Sequence, residues 1–155
     1  MDTLTVAERS RRMSLVRAKD TKPELVVRRL VHSLGYRYRL HISSLPGCPD
    51  LVFPSRRKVI LVHGCFWHQH SCKLGDRMPK SRLKFWRPKL ERNRLRDTET
   101  MRSLRHLGWR VLIVWECQIF GKPRARLVKR ICAFLERDAN KKAQRPAKRR
   151  RNKSN

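Results

Sequence analysis

Residues 63–72 read His-Gly-Cys-Phe-Trp-His-Gln-His-Ser-Cys, and no other stretch restricts the fold as strongly. Three histidines, two cysteines and two aromatic residues share ten positions. Zinc takes four sulfur or nitrogen donors in a tetrahedron, often with one tight loop supplying part of the set. Cys65, His70 and Cys72 supply three donors from this loop, and Cys117 supplies the fourth from far along the chain. His63 or His68 can compete with His70 for the nitrogen position. The alternative is a set of buried thiols beside surface histidines, but a glycine-flanked polar loop has little else to hold it still. On the zinc reading, the fold must return residue 117 to residue 65.

Cysteine usage points the same way. Five cysteines, Cys48, Cys65, Cys72, Cys117 and Cys132, make an odd number. Residues 1–14 contain no hydrophobic stretch of the export-signal kind, so a reducing cytoplasmic setting is expected, where disulfides are rare. No apolar run approaches the roughly 18 residues of a membrane span, and no membrane role is expected. The 155-residue chain carries 40 Lys and Arg against 12 Asp and Glu, a formal net charge of +28. Such a surface calls for a polyanion, with nucleic acid the leading partner and a nucleoid-associated location the corollary.

The length suits one domain. Residues 1–20 read as a basic N-terminal arm or short helix, residues 21–138 as the folded domain, and residues 139–155 as a disordered basic tail. From residue 141 onward there are eight basic residues, no acid and no apolar side chain larger than Ala. Such a segment cannot pack a core and suits a non-specific polyanion arm.

Within the body, Asp20 or Thr21 can cap a helix that has Pro23 and Glu24 in its first turn and Gly35 past its end. Val26, Val27, Leu30, Val31 and Leu34 form its apolar stripe. Alternation over 36–41 suggests a strand. Residues 51–53 and 59–63 suggest a hairpin. A charged helix is expected from Pro88 to about Leu107, with Leu90, Met101, Leu104 and Leu107 inward. Residues 109–115 (WRVLIVW) read as a central strand buried on both faces, placing Trp109 and Trp115 in the core. Residues 123–137 close the domain as an amphipathic helix, with Leu127, Val128, Ile131 and Leu135 inward. The fold class is α/β, a mixed sheet with helices on its faces.

Asp50 follows Pro49 at the start of an apolar strand. Nucleases of the PD-(D/E)xK kind use such an Asp to hold Mg²⁺ against the scissile phosphate, carboxylate being the right donor for a hard cation that keeps several waters. A Pro-Asp pair more often marks a turn. The second acid and the Lys of that motif are missing, and the next strand ends in Val62-His63-Gly64. Read from the residues alone, the site is nuclease-like with His in place of Lys.

SLPGCPD (44–50), HGCFWHQHSC (63–72), FW (85–86) and LGWRVLIVWEC (107–117) closely resemble the very short patch repair (Vsr) endonucleases, bacterial enzymes that nick DNA at T:G mismatches. The resemblance runs from about Arg9 to Cys117, weakens beyond it and excludes the tail. It implies a restriction-endonuclease-like mixed sheet flanked by helices, a structural zinc site and a Mg²⁺-dependent active site. The implied reaction is hydrolysis of one strand 5′ to the T of a T:G mismatch, the product of 5-methylcytosine deamination.

The resemblance also implies roles. Asp50 would be the central Mg²⁺ ligand, joined by the backbone carbonyl of Val62. Similar enzymes have Thr at that position, so the carbonyl is kept and a hydroxyl is lost. His68 matches the catalytic histidine, a general base or proton shuttle on the attacking water, a task suited to a group titrating near pH ~6.5. His63 and Asp97 match polar positions beside it, and Glu24 an acid that holds metal-bound water. Two Mg²⁺ ions about 4 Å apart would clamp an in-line displacement. Cys65, His70, Cys72 and Cys117 would hold one structural zinc. Phe66, Trp67 and Trp86 match aromatics that intercalate next to the mismatch, and Met13 a wedge from the other groove. Unstacking a step costs a few kcal/mol, least at a mismatch. The expected partner is double-stranded DNA carrying a T:G mismatch, engaged by a monomer because a mismatch is asymmetric. Functional links to a cytosine-5 DNA methylase and to mismatch-repair proteins follow. The competing readings are a zinc-stabilised nucleic-acid-binding protein without catalysis, a small basic ribonucleoprotein component, and a nuclease of this kind with another mismatch preference.

Overall fold

The computed structural model describes residues 5–15 and 19–137. The expected disordered tail lies outside the described residues. Helix α1 spans Val6–Ser14 and begins at a capping box in which Thr5 and Glu8 satisfy each other's backbone N–H groups. Helix α2, Lys22–Ser33, is capped by Thr21 with proline in its first turn. Gly35 follows at φ +87°, a left-handed conformation that L side chains rarely adopt.

Strands β1 (Leu51–Phe53) and β2 (Lys58–His63) form the expected hairpin, antiparallel with Leu51 opposite Ile60. A 3₁₀ turn at Pro54–Arg56 and left-handed Arg57 reverse the chain. Helix α3 (Leu83–His106) crosses over to β3 (Arg110–Trp115), which pairs parallel to β2. A short helix, α4 (Glu116–Phe120), and α5 (Arg124–Glu136) complete the domain.

The sheet order is β1-β2-β3. Leu51, Phe53, Ile60, Val62, Leu112 and Val114 face α2 and α5, which contribute Val27, Leu30, Val31, Leu127, Ile131 and Leu135. On the other face Val52 and Val59 meet Leu104 of α3 and Trp109. Alternate strand residues thus serve two cores, as the period-2 pleat requires. Among the described residues, no helix is long and apolar enough to cross a membrane.

Five expectations need correction. Residues 36–41 form no strand, only a single bridge between Arg39 and Val52, because Leu40 and His41 turn away from β1 and His41 adopts φ +44°. β3 is an edge strand among the described residues, and β2, buried at all six positions, is central. Trp109 is in the core, but Trp115 is half-buried against two histidines. Helix α3 begins five residues before Pro88, which is accommodated inside the helix on an exposed face. Leu107, at its end, is 48% exposed rather than inward.

Candidate active site and metal centre

The N-terminus of α2, the open end of the hairpin, the middle of α3 and the start of α4 enclose a cleft of about 1150 Å³. Asp50, Glu24, His63, His68 and Asp97 all line it. Asp50 sits one residue before β1, and its Oδ2 accepts the Val62 N–H at 2.7 Å. The carboxylate thereby continues the β1–β2 ladder where the backbone of β1 has left it. In an extended strand the N–H and C=O of one residue project to the same side, so the Val62 carbonyl faces the Asp50 edge as well. Burial pushes the Asp50 carboxyl up to about 6, against the pull of the Val62 N–H; nearby Glu24 adds to the rise, while Arg28 and His68 oppose it. A carboxylate and a carbonyl set together without enough positive charge make a hard-oxygen donor pair that fits Mg²⁺.

His63 ends β2, and its ring stacks on His68 with centroids 3.8 Å apart and planes 8° from parallel. His68 Nδ1 lies 2.5 Å from Asp97 Oδ2 on α3. A carboxylate only accepts, so the proton of that contact sits on Nδ1, and Nε2 is left as the basic nitrogen. His63 Nδ1 is buried with no hydrogen-bond partner. Burial and the neighbouring His68 push its imidazole down to about 4. Asn93, one turn before Asp97, donates to the Trp67 carbonyl at 3.1 Å and fixes the loop that carries His68.

The cysteine cluster lies behind this loop. Cys65, His70, Cys72 and Cys117 each present a donor atom, all within 4.8 Å of one another. His70 Nδ1 is 3.8 Å from Cys65 Sγ and 3.5 Å from Cys117 Sγ. Tetrahedral zinc with bonds of about 2.0–2.3 Å requires donor separations of roughly 3.4–3.8 Å, so this set can hold the ion. His63 and His68 stack together instead and stand with Asp97. The loop closes tightly: His70 N–H bonds the Cys65 carbonyl at 3.0 Å and Gly75 N–H the Cys72 carbonyl at 3.0 Å. A Cβ on Gly75 would stand 2.0 Å from the His70 carbonyl oxygen, so only glycine fits. Burial pushes the Cys65 thiol up to about 12, whereas His70 draws Cys72 down to about 6. Trp115 stacks on His70 at 4.3 Å and meets His63 edge-on at 5.2 Å, forming a wall between the cysteine cluster and the histidine pair.

Phe66 and Trp67 leave the same loop toward Trp86 near the start of α3, with centroids 5.6 Å and 6.0 Å from it. All three rings are half-buried, and Lys89 lies over Trp67 and Trp86 at 5.7 Å from each. Met13 is half-buried on α1 and is not among the residues that line the cleft.

Two further groups carry no motif. Glu116, also in the cleft, accepts the Cys65 N–H at 3.3 Å and ties the cysteine loop to the strand end that bears Cys117. Arg28 reaches Asp20 at 2.6 Å, Glu24 at 2.9 Å and His41 at 2.8 Å. The Glu24–Arg28 spacing of four residues in a helix was the available signal for that contact.

Residues 1–74 match the family of DNA mismatch endonuclease Vsr. Type II nicking enzyme V.XorIIP of Xanthomonas oryzae pv. oryzae is 53% identical over 128 residues, covering 81% of this chain and 93% of the relative. Type II nicking enzyme V.NmeAIP of Neisseria meningitidis is 38% identical, covering 81% and 89%. DNA mismatch endonuclease Vsr of Escherichia coli K12 is 42% identical over 118 residues, covering 76% of this chain and 75% of the relative. With identities of this size spanning the hairpin, the histidine loop and the cysteine cluster, the chain belongs to the Vsr family of DNA mismatch endonucleases.

Proposed function

We propose that this protein nicks one strand of duplex DNA on the 5′ side of the T in a T:G mismatch, by Mg²⁺-dependent hydrolysis on a restriction-endonuclease-like fold. The observation that carries the reading is the meeting of Asp50 and the His68–Asp97 pair in one cleft beside the Phe66, Trp67 and Trp86 rings. Family membership and a formal charge of +28 support DNA as the partner.

Asp50 and the Val62 carbonyl would hold Mg²⁺, with Glu24 lining the same cleft. The cation, as one ion or two, supplies Lewis-acid polarisation of the scissile phosphate. His68 Nε2 takes the proton of the attacking water, and Asp97 holds the imidazole in the tautomer that leaves Nε2 free. His63, kept neutral by burial, forms the flat stacking floor under His68. The products are a 3′-hydroxyl and a 5′-phosphate. Phe66, Trp67 and Trp86 enter the stack beside the mismatch, where opening costs least, and Met13 approaches from α1. Zinc at Cys65, His70, Cys72 and Cys117 would fix the loop that carries Phe66, Trp67 and His68, and would take no part in the chemistry.

The test is strand nicking of a labelled duplex with one T:G pair in several flanking contexts, beside T:A and C:G controls. A nick 5′ to the mismatched T, lost with EDTA and in Asp50→Ala, is the expected result. Tight binding without a nick in any context overturns the reading in favour of a zinc-stabilised binding protein.

A further inference from the structure

Arg28 is a buried cation behind the α2 wall of the cleft, with a side chain 9% accessible, and is not among the residues that line it. Its guanidinium lies among the donor atoms of Asp20, Glu24 and His41, which are within 4.8 Å of one another. Nη1 donates to Asp20 Oδ1 at 2.6 Å. Nη2 donates to Glu24 Oε2 at 2.9 Å and lies 2.8 Å from His41 Nε2. The guanidinium has no acceptor function, so His41 Nε2 accepts in that contact. A site with the donor set of a cation site is thus filled by the chain's own cation.

Glu24 is fixed by this arrangement. It is 3% exposed. Its Oε2 also accepts the Asp20 N–H at 3.0 Å, and its Oε1 accepts the Thr21 hydroxyl at 2.9 Å. The carboxylate therefore has one orientation, set from the α2 cap on one side and from Arg28 on the other. Without the guanidinium, the buried Glu24 carboxylate would lose the cation that its Oε2 bonds, in the same cleft as Asp50. Planar two-pronged donation to two carboxylates is a geometry that Arg provides and a Lys ammonium does not.

We infer that Arg28 is a positioning residue for metal loading: it holds the Glu24 carboxylate in one orientation beside the cation site at Asp50, while touching neither cation nor DNA. The inference rests on the proposed Mg²⁺ role of Asp50 and extends it to a residue outside the cleft surface. Groups that orient the surroundings of a metal typically change its affinity by about 10–100-fold when removed.

The experiment uses the full chain bound to the nicked product duplex, so that no turnover occurs, with Mg²⁺ titrated calorimetrically. Nicking of the intact T:G duplex across a Mg²⁺ series is the second readout. Arg28→Gln is expected to raise the Mg²⁺ concentration for half-saturation by about tenfold or more in both assays. The rate at saturating Mg²⁺ should fall far less. Arg28→Lys should recover part of the affinity, and adding Arg28→Gln to Glu24→Gln should change Mg²⁺ binding no further. Should Arg28→Gln fail to fold, Arg28→Lys alone and in the Glu24→Gln background decides the matter by the same loss of effect. Unchanged Mg²⁺ affinity in the folded Arg28 variants, or losses that multiply with Glu24→Gln, overturns the inference. Asp50→Ala separates the two readings. If it still binds and uses Mg²⁺, the proposed site is wrong; if it does not, while the Arg28 variants load normally, only the role of Arg28 falls.

Discussion

The rings of His63 and His68 lie face to face, yet only His68 has a partner for its Nδ1, the Asp97 carboxylate. Two imidazoles in such contact cannot both be imidazolium cations at modest energy. Asp97 holds the proton of His68 on Nδ1, and burial keeps His63 neutral.

Stability should record this asymmetry. His63 titrates near 6.5 when unfolded and near 4 when folded. Between those values the unfolded state binds more protons, so stability rises with pH through that window and is lost as pH falls. Replacing His63 with Gln should flatten the slope by about 2 kcal/mol between pH 7 and pH 5. Urea midpoints of the two proteins at both pH values provide the measurement. Parallel pH dependences would contradict the buried-neutral assignment.

Asp50 behaves in the opposite sense. Its carboxyl rises from 3.8 to about 6 on folding, so the native state binds more protons in that range and loses stability as pH climbs through it. At pH 7.5, without divalent cations, Asp50→Asn should therefore be the more stable protein, by about 3 kcal/mol and roughly 10 °C in Tm. Mg²⁺ should raise the Tm of the parent and leave the variant unmoved, and the variant should not nick. A less stable Asn variant would mean that the carboxylate is held by partners stronger than the single Val62 N–H.

Asp97→Asn keeps the shape of the His68 contact but can donate a proton to Nδ1, which moves the imidazole proton to Nε2. Single-turnover nicking at saturating enzyme should fall by about 10²–10⁴-fold, with affinity for the mismatched duplex unchanged. A fall in affinity of the same size would assign Asp97 to DNA binding.

The cysteine loop should fail as a unit. Cys72→Ala removes a donor, and Gly75→Ala forces a methyl group into the His70 carbonyl. Elemental analysis should find one zinc per parent chain and far less than one in either variant, with both melting at least about 10 °C lower. A Gly75→Ala protein that retains its metal and its Tm would show that the loop can relax around the added carbon.

Trp86 completes the aromatic group from a different element than Phe66 and Trp67. Trp86→Ala should lower the preference for T:G over T:A duplex in equilibrium binding by roughly tenfold, since base–aromatic stacking is worth about 1–3 kcal/mol per base. An equal loss on both duplexes would mark the ring as packing rather than discrimination.

Much of the fold could be read from periodicity. The stripe of α2, the hairpin and α5 each have apolar residues at spacings that admit one element type, and each occurs within a few residues of expectation. Residues 36–41 alternate like a strand but pair only through Arg39, because a strand needs a partner edge that sequence does not reveal. β3 is apolar enough for a central strand, yet its half-buried positions are covered by side chains of the site, such as the His63 and His70 rings against Trp115. Pro88 looked like a helix start, whereas the preceding turn forms with Pro88 facing outward.

Of the site, the cysteine and histidine block was visible as a density of chemistry, but which histidine joins the thiols depends on how the loop folds. The loop sends His70 to the thiols and stacks His68 on His63. The Arg28 network was hidden because His41 joins it from a segment with no pattern of its own.

Successive residues of the 63–72 loop serve different neighbours. Cys65 turns to the thiols, Phe66 and Trp67 to the aromatic group, His68 to Asp97 and His70 back to the thiols. With the assignments interleaved residue by residue, a one-residue insertion or deletion here would scramble all of them together. The loop can be inherited or transplanted only as an indivisible cassette of fixed length. Change within it is therefore confined to substitutions at constant length.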